Sequence, residues 1–193
     1  KKAGRKPATL FRVPPCARLQ PKYTLSVRRS GNRTNPVPAR GAHMTTHTAF
    51  VLNGQPVATE VRPDTTVLDL LRDHLGRKGT KEGCAEGDCG ACTILFRRGG
   101  DAEAPMLAAN SCIMSVAQID GGEIVTVEGL AGEGAVLNAV QDEMAKNGSS
   151  QCGFCTPGIA VALTGLLARN PDPDEGAIHD ALAGNLCRCT GYR

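Results

Sequence analysis

Eight of the nine cysteines in this 193-residue chain fall into two spaced sets of four. The first is Cys84, Cys89 and Cys92, a C-x4-C-x2-C run, completed by Cys112. The second is the C-x2-C pair Cys152 and Cys155, completed by the C-x-C pair Cys187 and Cys189. Four thiolates are what a 2Fe–2S cluster takes, and the first spacing is one that holds such clusters. Two sets would give the chain two one-electron stations. Gly83, Gly87 and Gly90 stand beside and between the first ligands in KEGCAEGDCGACT. A loop wrapped round an inorganic core turns sharply and brings amide N–H groups close to sulfur, and glycine permits both. Such N–H groups offset the negative charge of a cluster. QCGFCTPG and GNLCRCTG place glycine near the second four in the same way.

Other uses of cysteine compete. Disulfides are disfavoured by short paired spacings in a chain without a secretory signal. Structural zinc is the stronger rival, because four-cysteine zinc sites also use C-x2-C. It suits the second set better than the first, which lacks two short pairs. Cys16, the ninth, sits in an unpatterned tail and reads as a free thiol with no role.

Charge divides the chain. Residues 1–43 carry eleven Lys/Arg and no acid, whereas the rest carries eleven against nineteen acids, net −8. Two oxidised clusters with their thiolates would take the body to about −12. The basic balance of the whole chain therefore belongs to the tail and does not indicate a nucleic-acid binder. The tail has the Pro/Arg/Ser-rich composition of disorder. Arg28-Arg29 lacks the apolar run of a twin-arginine signal, and a transit peptide is a minor alternative. The expectation is that Met44 is the true start, that residues 1–43 are non-native, and that the chain continues beyond Arg193.

The elements that must position the cysteines follow from pattern. AFVLNGQPVATEV reads as a hairpin turning at Asn53-Gly54. Val67, Leu68, Leu70, Leu71 and Leu75 form a helical stripe, with Asp64 or Thr65 as its cap and Gly76 as its stop. The first three ligands lie in the loop that follows. TILF is a strand, residues 105–109 are a second, Cys112 opens a short helix, and EIVTVE is a later strand. This predicts an α+β domain of β-grasp type over 46–129. GLAGEG is a connector, and helices are expected at 137–147, 157–169 and 174–183, the last after the Asn170-Pro171 break. These make a helical cluster-binding domain over 135–193, with a fourth helix falling after Arg193. Ile159, Val161, Leu163, Leu166, Leu167, Ile178 and Leu182 are core. No apolar run approaches the ~20 residues of a membrane span, and six Phe/Tyr with no Trp offer little stacking surface for nucleic acid.

GTKEGCAEGDCGACT, NSC, QCGFCTPG and GNLCRCTGYR, in this order, resemble the iron–sulfur subunit of the xanthine dehydrogenase family, the molybdenum hydroxylases. The resemblance covers about residues 47–193. It implies a ferredoxin-like domain followed by a four-helix domain, each with one 2Fe–2S cluster. It also implies electron flow from a molybdopterin centre through the helical-domain cluster and the ferredoxin-type cluster to FAD. Molybdopterin and FAD are expected on a large subunit and an FAD-binding subunit, or on later domains of one chain. Gln151 matches the family position whose amide hydrogen-bonds the pterin, and Cys189 matches a ligand that also approaches it. For Gln151 the alternative is a residue capping the cluster loop.

No G-x-G-x-x-G phosphate loop and no nucleophile constellation are evident. His47, His74 and His179 read as exposed or capping, and His43 belongs to the tail. The expected part is thus the electron-transfer component of a cytoplasmic oxidoreductase, with no catalytic residue of its own. A carbon monoxide dehydrogenase- or aldehyde oxidoreductase-type small subunit, a free-standing ferredoxin and a zinc-structured module are the other readings.

Overall fold

The computed structural model describes residues 44–132, 134 and 136–191. Cys16, His43 and the expectations about the tail lie outside the described residues, as does the expected fourth helix. Strands β1 (Thr46–Leu52) and β2 (Gln55–Val61) pair antiparallel. Asn53 and Gly54 join them at φ 51° and 78°, the left-handed pair that matches the twist of a hairpin.

The apolar stripe forms helix α1 (Val67–Asp69), which widens into a π turn over Leu70–His74. Its cap is Thr66, not Asp64 or Thr65. The Thr66 hydroxyl accepts the Asp69 N–H at 3.1 Å, because Oγ of the residue just before the first turn reaches the third amide. The Leu75 N–H donates to the Leu70 carbonyl at 2.9 Å, five residues back. Gly76, at φ 66°, ends the turn. Val67, Leu70 and Leu71 enter the main core, while Leu68 packs on Cys92 and Cys112. One short helix therefore ties a sheet face to the first cysteine set.

Strands β3 (Thr93–Arg97), β4 (Leu107–Asn110) and β5 (Glu123–Val125) complete a mixed sheet of order β2-β1-β5-β3-β4, with β1 and β5 parallel. β4 begins at 107 rather than 105. β5 stops at Val125 rather than running on to 128, because the Thr126 N–H turns to Asn53 Oδ1 at 2.8 Å. Val127–Leu130 is then a 3-10 turn.

Successive residues of a strand face opposite sides, and both sides of this sheet are buried. Ile94 and Ile124 join Phe50, Leu70 and Leu71 on the α1 side. Leu95 and Val125 join Leu130, Ala160 and Val161 on the other. The second side is covered by helix α3 (Thr156–Arg169), with α2 (Ala139–Lys146) and α4 (Glu175–Leu182) around it. Asn138 caps α2 with Gln141 as its reciprocal partner, and Asp174 caps α4. The architecture is α+β, a mixed sheet followed by helices. Among the described residues, no helix is long and apolar enough to cross a membrane.

Candidate metal centres

The first set is built by the loop from Thr80 to Cys92 and by the 3-10 turn Ser111–Ile113. Ala85 sits at φ 58°, followed by Gly87 at 87° and Gly90 at 68°. A left-handed alanine costs about 1–2 kcal/mol and persists where surrounding structure demands it. Here it curls the chain round the Cys84 sulfur. The N–H groups of Glu86, Asp88 and Cys89 all donate to Cys84 Sγ, at 3.5, 3.4 and 3.4 Å. Those donors, that of Glu86 foremost, lower the Cys84 pKa to about 6 and favour the thiolate, the form that binds metal. Cys112 behaves oppositely. Burial and the adjacent Cys92 sulfur push it up to about 12, a cost that a bound metal ion reverses. The Ser111 hydroxyl donates to the Cys92 carbonyl at 2.8 Å and clips this turn to the loop.

The second set comes from the turn before α3 and the turn after α4. Cys155 directly precedes α3, and Gly153, at φ 81°, bends the chain between Cys152 and Cys155. The Phe154 N–H, with the Cys189 thiol, holds Cys152 below the usual thiol range. Thr190, through its hydroxyl and its N–H, lowers Cys187 to about 7. Burial and Cys187 raise Cys155 to about 11, and Cys152 raises Cys189.

The thiols meet in twos. Cys84 contacts Cys89, Cys92 contacts Cys112, Cys152 contacts Cys189, and Cys155 contacts Cys187. Among the described residues, no three His, Cys, Asp or Glu side chains gather tightly enough for one metal ion. Two pairs per site suit a 2Fe–2S group, whose irons each take two of the four thiolates. Close backbone approach supports the same fit: a Cβ on Gly83 would stand 2.7 Å from Cys89 Sγ. Gln151 is exposed beside Cys152, and Cys152 and Cys189 are themselves exposed, whereas Cys92 and Cys112 are buried. His47 and His179 are exposed partners of Glu60 and Glu175. Neither Ala85 nor Leu186, at the junction of the two sites, stood out in the sequence, because neither carries a metal-ligand side chain.

At that junction the Leu186 N–H donates to the Cys89 carbonyl at 3.0 Å. Cys89 belongs to the first set, and Leu186 is bonded to Cys187 of the second. One hydrogen bond therefore joins the backbones that carry the two sites.

Two sets of four cysteines joined through backbone suit an iron–sulfur electron-transfer module. Two family models match it: a 2Fe–2S iron–sulfur cluster binding domain over residues 50–117 and a [2Fe–2S] binding domain over 126–193. Xanthine dehydrogenase/oxidase of Felis catus is 43% identical over 147 residues, 75% of this chain and 11% of that protein. A chain in the structure of quinoline 2-oxidoreductase from Pseudomonas putida 86 aligns at TM-score 0.68 and 40% identity, covering 77% of this chain and 86% of that one. Aldehyde oxidoreductase of Desulfovibrio gigas aligns at TM-score 0.68 and 33% identity, over 76% of this chain and 16% of that one. The chain belongs to the molybdenum hydroxylase family, as its two-cluster iron–sulfur electron-transfer part. It spans about a tenth of the length of the xanthine dehydrogenase relatives it matches.

Proposed function

We propose that this chain carries electrons from a molybdopterin centre to FAD within a xanthine dehydrogenase-like molybdenum hydroxylase. Residues 46–129 would form the ferredoxin-type domain and 135–193 the helical domain, of four-helix type. Cys84, Cys89, Cys92 and Cys112 would hold one 2Fe–2S cluster, and Cys152, Cys155, Cys187 and Cys189 the other. When bound, each cluster takes up and releases one electron. The residues of the chain do the rest. Cys84 is held ready as thiolate by three N–H donors, and the bridge from Cys89 through Leu186 to Cys187 shortens the non-bonded gap between the sites. Gln151 and the exposed Cys189 would face the pterin on a large subunit. The FAD would lie on another subunit or a later domain. A cytoplasmic location is part of this proposal.

The observation that carries the reading is the backbone junction. It brings the backbone beside Cys187 into direct contact with that of Cys89, as electron transfer between the two sites requires. A second reading concerns only how the chain is joined to its partners. Coverage of 86% of the quinoline 2-oxidoreductase chain favours a separate small subunit, whereas 11% coverage of xanthine dehydrogenase/oxidase favours a segment of a longer protein. Affinity purification from cells followed by metal and flavin analysis tests both. Molybdenum, FAD and about four irons per chain are expected together. Iron without a molybdenum partner would point to a free-standing ferredoxin.

A further inference from the structure

The contact between the two cysteine sites contains one side chain with no place among the ligands. Asn185 lies between α4 and Cys187. Its Nδ2 donates to the Gly90 carbonyl at 3.0 Å and to Thr93 Oγ1 at 3.2 Å. The Thr93 hydroxyl in turn donates to the Gly90 carbonyl at 2.6 Å. The three groups close a triangle that spans 95 residues of sequence between Gly90 and Asn185. Both ends adjoin proposed ligands: Gly90 follows Cys89, and Asn185 precedes Leu186 and Cys187.

The seat around this amide is made of glycine. A Cβ on Gly90 would stand 2.2 Å from the Gly184 carbonyl and 2.5 Å from Asn185 Nδ2. A Cβ on Gly158, in the first turns of α3, would stand 2.2 Å from the Gly90 carbonyl and 3.1 Å from Asn185 Nδ2. Backbone from the cluster loop, from α3 and from the segment after α4 therefore converges on one amide group. The Leu186 N–H reaches the Cys89 carbonyl one residue further along. That bond needs the two segments in register, and nothing in its own geometry fixes the register. A short side chain with two fixed N–H donors, seated among glycines, does.

We propose that Asn185 is a positioning residue for electron transfer between the two sites, a clamp that keeps the Leu186–Cys89 backbone bridge closed. This rests on the two-cluster reading above. Asn185 touches neither sulfur nor any reacting atom. It acts by holding the cluster loop and the Cys187 segment at one separation. Asn185→Asp is the sharpest change, because it keeps the shape and replaces both donors by an acceptor facing the Gly90 carbonyl. Loss of both amide hydrogen bonds, with the Gly90 carbonyl still held by Thr93, is worth ~1.4 kcal/mol, about tenfold in the closed-to-open ratio of the junction.

The test uses the full chain with both clusters loaded. Low-temperature EPR of the two-electron-reduced chain reads the splitting that each paramagnetic cluster imposes on the other, and pulse radiolysis of the oxidised chain, which delivers one electron, reads the rate between them. Asn185→Asp and Asn185→Ala should keep about four irons per chain, the separate g values and both midpoint potentials. They should reduce the mutual splitting and slow the intercluster step, by at most about tenfold. Thr93→Val, on the other side of the triangle, should give a smaller loss of the same kind, and Thr93→Ser should restore it. Unchanged splitting and rate in Asn185→Asp overturn the clamp. Loss of the helical-domain iron in both Asn185 variants also overturns it, since Asn185 would then serve its own cluster loop. A wild-type chain showing no pair of 2Fe–2S signals is a different failure, that of the two-cluster reading itself.

Discussion

Gly158→Ala is a severe test of the packing that joins the two halves. In an exposed helix the change stabilises by about 1 kcal/mol. Here the new methyl would stand 2.2 Å from the Gly90 carbonyl oxygen, a backbone atom. Ordinary non-bonded contacts lie near ~3.5 Å, so α3 and the cluster loop must part by about 1 Å. Overpacking of this kind costs about 1–3 kcal/mol. Opening also weakens the Asn185–Gly90 and Leu186–Cys89 hydrogen bonds, each worth about 1 kcal/mol. The balance is a net loss of ~2 kcal/mol, or about 4–8 °C in melting temperature for a chain of this size. Gly165→Ala in the same helix is the control. Its methyl would meet the Leu95 Cδ2 tip at 2.6 Å, and a side-chain tip yields by a rotamer adjustment of about 0.5–1.5 kcal/mol, which the helix gain nearly offsets. Thermal melts followed by circular dichroism on the cluster-loaded chain compare the two directly. A Gly158→Ala chain as stable as wild type, or a Gly165→Ala chain that loses more, would refute the argument.

Three further outcomes follow from burial and charge. Arg97 and Glu123 form an ion pair that is almost wholly buried across β3 and β5. Glu123→Gln should destabilise by about 3 kcal/mol, the low end for a broken buried pair because Arg97 still donates to the Ala102 carbonyl at 2.7 Å; urea unfolding checks this. The exposed Cys152 and Cys189 leave the helical-domain site more open than the first, where Cys92 and Cys112 are buried. Brief chelator treatment of the chain without its partners should therefore bleach the helical-domain EPR signal first, and simultaneous loss would count against that ordering. Gln151→Ala should leave iron content and both signals intact but loosen molybdenum retention in the assembled enzyme; unchanged retention and turnover would remove Gln151 from the pterin contact.

Local pattern made much of this molecule readable in its sequence. The three later helices, expected at 137–147, 157–169 and 174–183, occupy Ala139–Lys146, Thr156–Arg169 and Glu175–Leu182. Their caps and breaks are local signals, as is the Asn53-Gly54 turn. The cysteines were visible for the same reason, since their spacing is itself the signal. What was not readable depends on partners far along the chain. β5 ends at Val125 because Asn53, about seventy residues earlier, takes the next N–H. The parallel pairing of β1 with β5 has no sequence mark of its own. Thr66 rather than Asp64 or Thr65 became the cap, because all three neighbours have capping side chains and only the fold chooses the register. Asn185, Gly90 and Gly158 meet across the two cysteine sites; Gly90 was legible as a glycine of the cluster loop, but Asn185 and Gly158 each look like an ordinary loop or helix residue.

The central claim is that the eight cysteines hold two distinct 2Fe–2S clusters. Iron and acid-labile sulfide analysis combined with EPR of the reduced chain tests it most directly, in wild type and in Cys89→Ser and Cys187→Ser. The account predicts about four irons and four sulfides per wild-type chain and two separable signals. Cys89→Ser should remove or alter one signal only, and Cys187→Ser the other only. Zinc in place of iron, or two signals unchanged in both variants, would contradict it.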